Sequence, residues 1–227
     1  MNHLNNTMKR VALYVIGLFL LAIGVSFSIQ ASLGVSPVSS LPYALALVSG
    51  LSVGVMTVVS NILFIVLQVF LTKRFDLRDF SLQLLISFLF GFYMDFSLFL
   101  VRLLPTPETI IMRSIFLIIS LFIVAFALLA YFNVKLPLMP YDSLTYAISN
   151  RFQMHFPKAK ITSDLINVGI SLIVCLICIQ SFGSVGIGTL ISAYFIGKIL
   201  GMLMKKFQEP LLNWLNSGEQ EESTTEL

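Results

Sequence analysis

The chain has 227 residues, 57% of them apolar and 11% charged, with a formal net charge of +3. A soluble domain carries about 25% charged residues, so this chain has too little charge to cover a water-facing surface. The composition excludes an ordinary soluble enzyme or binding module. It predicts an all-α polytopic membrane protein whose first partner is the lipid bilayer. The basic residues lie mostly between apolar runs, where they report topology and not nucleic-acid binding.

Residues 1–10 read as a polar cytoplasmic N-terminus, frayed through residue 8. Asn5-Asn6-Thr7 fits a glycosylation acceptor but carries no meaning on the cytoplasmic side. Lys9-Arg10 followed by Val11–Phe27 imitates a signal peptide. Its apolar run exceeds the usual core of about 7–15 residues, so it is read as a retained first span, 11–31. Ser32–Pro37 is a turn-forming break. The run 37–49 is too short to cross a bilayer that needs about 20 apolar residues, and Gly50–Gly54 interrupts it. Full spans follow at 53–72 and 80–103. Pro105-Thr106-Pro107-Glu108 marks a linker, 105–109, between a first membrane unit (11–104) and a second (110–206).

The second unit repeats the plan. A span at 110–132 is broken by Asn133–Pro137. A short segment, 140–150, precedes a polar loop, 151–160, and spans at 161–181 and 185–204 complete the unit. Trp214 is placed at the membrane interface. The tail, 207–227, is polar and acidic and is expected to be disordered from Asn216.

The two units share a signature. Pro37-Val-Ser-Ser-Leu-Pro-Tyr-Ala44 and Pro140-Tyr-Asp-Ser-Leu-Thr-Tyr-Ala147 agree at five of eight positions at an offset of 103 residues. The register extends to Ser60-Asn61 against Ser163-Asp164 and back to Ala22 against Ala125. Three further residues of shift bring Phe90-Gly91 onto Ile196-Gly197. A weak internal repeat in an apolar chain marks several transporter folds. If both short segments are re-entrant, six spans place eleven basic residues on the cytoplasmic side and only Arg102 and Arg113 outside. If both cross, the balance is nine to four. The positive-inside rule favours six spans. Three spans per unit make the units inverted repeats, each with one short broken helix; eight spans make them parallel.

Ionisable side chains within the spans cost about 2.5–3.5 kcal/mol on insertion scales and usually face a cavity or a partner. The candidates for a substrate or ion pathway are Asp142, Asp164, Asp95 and Lys198. Asp142 follows the helix-breaking Pro140 and reads as an N-cap, as Ser39 does after Pro37; a cap at membrane depth marks backbone tolerated only inside protein or beside water. Asp164 is an ordinary first-turn carboxylate or half of an asymmetric pair with Asn61, its repeat partner. Asp95 and Lys198 lie at equivalent points of the two units, where they either pair or leave Lys198 to snorkel. Ser143, Tyr146 and Tyr43 complete the set, with aromatic packing as the plainer reading of the tyrosines.

Cys175-x-x-Cys178 lacks a second pair and reads as small apolar filler, and His3 and His155 fall outside the spans. No nucleophile motif, zinc motif, phosphate loop or dinucleotide fingerprint occurs. The expectation is no enzyme, no cofactor and no metal.

Several stretches carry a resemblance: Ala31-Ser32-Leu33-Gly34-Val35-Ser36-Pro37, Phe90-Gly91-x-x-x-Asp95, Pro140-x-Asp142, Lys160-Ile161-Thr162-Ser163-Asp164 and Gly186-x-Gly188-Thr189. They make residues 10–205 similar to the YczE/YitT-like group of uncharacterised bacterial membrane proteins, closer to the YczE-like branch. The resemblance implies a bacterial inner-membrane protein and brings no substrate. The expected function is a secondary transporter of a small solute, with Asp95 or Asp164 as the option for a coupling proton. The alternative is a non-transporting scaffold or accessory subunit. Both termini are expected in the cytoplasm, and a homo-oligomer stays open.

Overall fold

A computed structural model describes residues 2–74 and 76–225, apart from the side chains of residues 2–5, 157 and 217–225. The described residues form eight helices and no strand: α1 (Asn2–Ala31), α2 (Pro37–Ser49), α3 (Val53–Thr72), α4 (Leu77–Arg102), α5 (Ile110–Asn133), α6 (Pro140–Arg151), α7 (Phe156–Ile179) and α8 (Ile187–Thr225). Six of them, all but α2 and α6, are long and apolar enough to cross a membrane.

Two expectations fail at the termini. Residues 2–8, expected to fray, are the first turns of α1. The tail expected to be disordered from Asn216 is helical through Thr225, with Pro210 inside α8. α1 and α8 pack together. The Arg10 guanidinium donates to Asn216 Oδ1 at 2.7 Å, and Lys9 Nζ lies 5.4 Å from the centre of the Trp214 ring.

α1 and α5 lie along each other at the centre. Around them the packing falls into matched pairs. α1 packs on α4 as α5 packs on α8; α2 packs on α7 as α6 packs on α3; α2 packs on α3 as α6 packs on α7. The match is incomplete: α1 also packs on α8, while α4 and α5 make no comparable packing. α3 and α4 close on each other through Gly54 and Gly91, where a Cβ on either would strike the other's backbone. α7 and α8 make no such packing, and Gly197, the counterpart of Gly91, has nothing within 4 Å of a would-be Cβ.

The bundle has a basic end, formed by the loops with Lys73, Arg74, Lys135, Arg151 and the start of α7, and a far end, formed by residues 32–36, 50–52, 103–109 and 180–186. The two short helices start inside the bundle and return to the end they came from. Pro37, the first residue of α2, reaches Asn167 in the middle of α7, and Ser40 reaches Ser171. Gly50 closes α2 beside the far-end start of α3. α6 starts against Lys160 and Asp164, within the first turns of α7, and ends at the basic-end loop. Leu41 of α2, Tyr141 and Leu144 of α6 and Phe64 of α3 form one apolar cluster where the two short helices approach each other.

Such helices leave backbone groups without partners, which is costly away from water. Pro42 sits inside α2 and has no N–H to give Val38 O. The Asn167 amide replaces it, donating to Val38 O at 3.3 Å and to Pro37 O at 2.6 Å. The segment before α2 is held by the loop before α8: Val35 N–H donates to Ser184 O and Gly188 N–H to Leu33 O. This contact needs glycine on both sides. Gly34 has φ +101°, and a Cβ there would lie 2.5 Å from Gly186 N; a Cβ on Gly186 would strike Leu33 O.

Thermal unfolding in detergent checks the glycine contacts. Gly54→Ala and Gly186→Ala each lose about 1–3 kcal/mol, the cost of overpacking against backbone, while Gly197→Ala stays within about 0.5 kcal/mol. A second variant pair checks the carbonyl repair. Asn167→Ala loses about 1–3 kcal/mol by leaving Val38 O bare while Pro37 O keeps its bond from Ser40 Oγ, and the loss shrinks in a Pro42→Ala background, where a backbone N–H is available again.

Candidate functional site

The α6 start is built from residues on three helices. Its N-cap is Met139, with no side-chain cap, and Pro140 is the first helical residue. Asp142 is therefore not the cap that the sequence suggests. It stands one turn in, buried, and its oxygens face side chains: Lys160 Nζ at 3.4 Å and the Tyr131 hydroxyl, which donates to it at 3.4 Å. Tyr131 in turn accepts from Met139 N–H at 2.5 Å. One hydroxyl thus fixes both the entrance to α6 and the carboxylate. Tyr14 secures the same segment by donating to Pro137 O at 2.8 Å. Ser39 is likewise not the cap of α2; Ser36 is, and the two hydroxyls lie 3.3 Å apart.

Asp164 lies across from Asp142 on α7. Lys160 Nζ is 3.4 Å from its Oδ1, and the Tyr141 hydroxyl donates to the same oxygen. The Lys160 ammonium also sits 4.3 Å from the Tyr141 ring centre, a cation–π contact. Two carboxylates thus share one ammonium between α6 and α7, a cluster of formal charge −1. α6 carries Asp142 at the end where the helix dipole favours negative charge.

Two cavities flank the short helices. At the basic end a cavity of about 430 Å³ is lined by Ser143, Tyr146 and Asn150 of α6, Gln68 of α3, and Asp79 and Gln83 of α4. At the far end a cavity of about 250 Å³ is lined by Tyr43 and Leu47 of α2, with Gly34 and Val35 before it and Ile179 and Gly183 across from it. Tyr43 and Tyr146, like Leu47 and Asn150, stand 103 residues apart, the offset of the shared Pro-x-x-Ser-Leu-x-Tyr-Ala signature. The two cavities therefore occupy corresponding places at opposite ends.

The remaining sequence candidates scatter. Asn61 is buried on α3, and its Nδ2 has no hydrogen-bond partner. Asp95 is far from the α6–α7 cluster along the bundle. Its two oxygens accept from Ser52 Oγ at 2.6 Å and Gly54 N–H at 2.7 Å, so it secures the start of α3. Asp95 and Lys198 do not pair, and no ion pair joins them among the described residues. The reason is that both Asp95 oxygens are taken, while Lys198 is exposed on α8 with its ammonium 5.6 Å from the Tyr194 ring centre. Cys175 is buried against Ser184 and Cys178 is exposed.

Sequence reasoning missed Lys160, Tyr131, Tyr141 and Gln83 as site residues. Lys160 carried a signal: Lys160 and Asp164 stand four apart, and so share a helix face. The tyrosines and Gln83 carried none, because their roles depend on which helices meet.

Six long apolar helices with two short ones inside the bundle define a polytopic α-helical membrane protein. The chain belongs to the DUF6198 family, a family of unknown function, whose profile matches residues 8–205. It is also similar to the uncharacterized protein YyaS of Bacillus subtilis (strain 168), with 27% identity over 191 residues, 84% of this chain and 90% of that protein. No solved structure gives a significant match. The family matched is DUF6198; the YczE/YitT-like name suggested by the motifs is not among the matches.

Lys160→Met tests the cluster. It leaves two carboxylates facing each other, and we expect a loss of about 2 kcal/mol. That is less than the roughly 3–5 kcal/mol of a fully buried pair, since the Lys160 side chain is 27% exposed. Adding Asp142→Asn returns part of the loss in chemical or thermal unfolding. A loss that is the same with and without Asp142 would show that the two do not interact.

Proposed function

We propose that this protein is a secondary transporter of a small solute, built from two inverted units, with both termini in the cytoplasm. The observation that carries the reading is the pair of short Pro-led helices that start within the bundle, each flanked by a cavity at its own end. Broken helices with buried N-termini, arranged in related halves, are the usual binding elements of secondary carriers. The matched packing of α1–α4 and α5–α8 supports related halves, and three long helices per half support their inversion. The excess of Lys and Arg at the basic end supports a cytoplasmic placement of that end. On this reading the membrane is the bacterial inner membrane, in keeping with the YczE/YitT-like motifs. The Asp142–Lys160–Asp164 cluster is the polar element nearest the break in α6. Asp164, not Asp95, is the better option for a coupling proton, because the Asp95 oxygens are committed to the start of α3.

The rival is a scaffold or accessory subunit. It draws on α8, where Gly197 and Gly201 have open space beside them and Lys198 is exposed.

Aqueous access separates the two. In a chain with Cys175 and Cys178 replaced by Ser, a single Ser143→Cys is expected to react with a membrane-impermeant thiol reagent in inverted vesicles and not in intact cells. Silence from both sides removes the water-filled path and the carrier reading with it.

A further inference from the structure

The basic-end cavity has a lining whose chemistry points to a ligand. Three carboxamides face it, from Gln68, Gln83 and Asn150, together with the hydroxyls of Thr72 and Ser143. Among the described residues no Lys, Arg or His lines it, and its one charged group is Asp79, exposed in the first turn of α4. Gln83 is the telling residue. It is 5% exposed, yet its Oε1 has no hydrogen-bond partner, and the Oε1 of Gln68 has none either. A buried polar atom left without a partner in the chain is costly unless water or a ligand supplies one, and here the cavity beside Gln83 gives room for either.

The lining also says what kind of partner. A terminal carboxamide turned through half a revolution exchanges its oxygen for its NH₂. Each of the three can therefore donate or accept, and the hydroxyls do the same. Such a set suits a molecule that itself both donates and accepts. An anion finds no cation in the lining and meets the Asp79 carboxylate. A dication finds only that one exposed carboxylate. Tyr146 adds an aromatic surface: its ring stacks on Phe156 with centres 4.2 Å apart. The volume, about 430 Å³, falls in the range of small-molecule sites.

We propose that the basic-end cavity binds a small uncharged solute bearing several hydroxyl or amide groups. The proposal deepens the carrier reading by naming its solute class, and so rests on that reading. In this conformation the solute reaches the cavity from the basic end. The corresponding far-end cavity is smaller, and it lies beside the backbone contact of Leu33-Gly34 with Gly186, where glycine lets the two segments touch.

Equilibrium dialysis of the purified full chain in detergent tests this, with radiolabelled myo-inositol, erythritol and urea as neutral ligands and succinate and putrescine as charged ones. Dialysis is chosen because neutral osmolytes stabilise proteins without binding them. We expect at least one neutral ligand to bind saturably at one site per chain, with no displacement by succinate or putrescine. Gln83→Leu weakens that binding at least tenfold, whereas Tyr43→Phe in the far-end cavity leaves it unchanged. Ser143→Trp, which fills the cavity from α6, abolishes it and keeps the test decisive should Gln83→Leu fail to fold. Three results overturn the proposal: no neutral ligand binds, a charged ligand binds in preference, or binding survives both cavity variants. The carrier reading is judged separately, by uptake into proteoliposomes. Binding without uptake sinks the carrier and leaves the site, and uptake indifferent to Gln83 does the reverse.

Discussion

The constraint on which this structure depends is the satisfaction of backbone polar groups where no water can reach them. A helix that crosses the membrane meets it internally, but a helix that starts halfway cannot. Each short helix here is secured by side chains from elsewhere in the chain. Asn167 on α7 supplies the donor that Pro42 removes from α2. Tyr131 and Tyr14 hold the segment that leads into α6. The loop before α8 holds the segment that leads into α2. The six long helices are thus arranged around the needs of the two short ones.

The two short helices meet the same demand with different residues, and the differences are informative. Asn167 on α7 corresponds to Phe64 on α3, which packs its ring against Tyr141 at 5.3 Å. α2 has its break repaired by an amide, while the start of α6 is covered by an aromatic ring and relies on tyrosines behind it. At the far end two glycine-bearing loops touch through backbone; the corresponding segment at the basic end contains Pro137 in place of Gly34 and lines the larger cavity. A proline ring cannot approach a neighbouring chain as glycine does, so the wider opening at that end is written into the sequence.

The all-helical class, the six long spans, the two short helices and their boundaries were legible, because each rests on composition, run length and proline position. The termini were misread. Polarity suggested disorder at both, but Arg10 with Asn216 and Lys9 with Trp214 hold α1 and α8 together beyond the apolar spans. Contacts between residues 206 positions apart leave no local trace. Asp142 and Asp164 drew attention because a carboxylate in an apolar segment stands out, and the structure brings the two together around Lys160. Their tyrosine partners did not, since tyrosine is common in such segments and only the packing places it. The pairing of Asp95 with Lys198 failed for a related reason: equivalent sequence positions do not imply adjacency, and the start of α3 claimed Asp95 first.

The charge cluster between α6 and α7 is not something the architecture requires. At an offset of 103 residues the positions of Asp142, Lys160 and Asp164 are held by Ser39, Thr57 and Asn61. α2, like α6, is a short helix packed on α3 and α7, and it has no charge at those positions. Buried ion pairs seldom add stability over well-packed apolar groups, and withdrawing charge from water is costly. Two carboxylates sharing one ammonium are therefore poorly explained as scaffolding. On the carrier proposal it is a net negative charge placed beside a helix break, whereas the Asp95 carboxylate is committed to the start of α3.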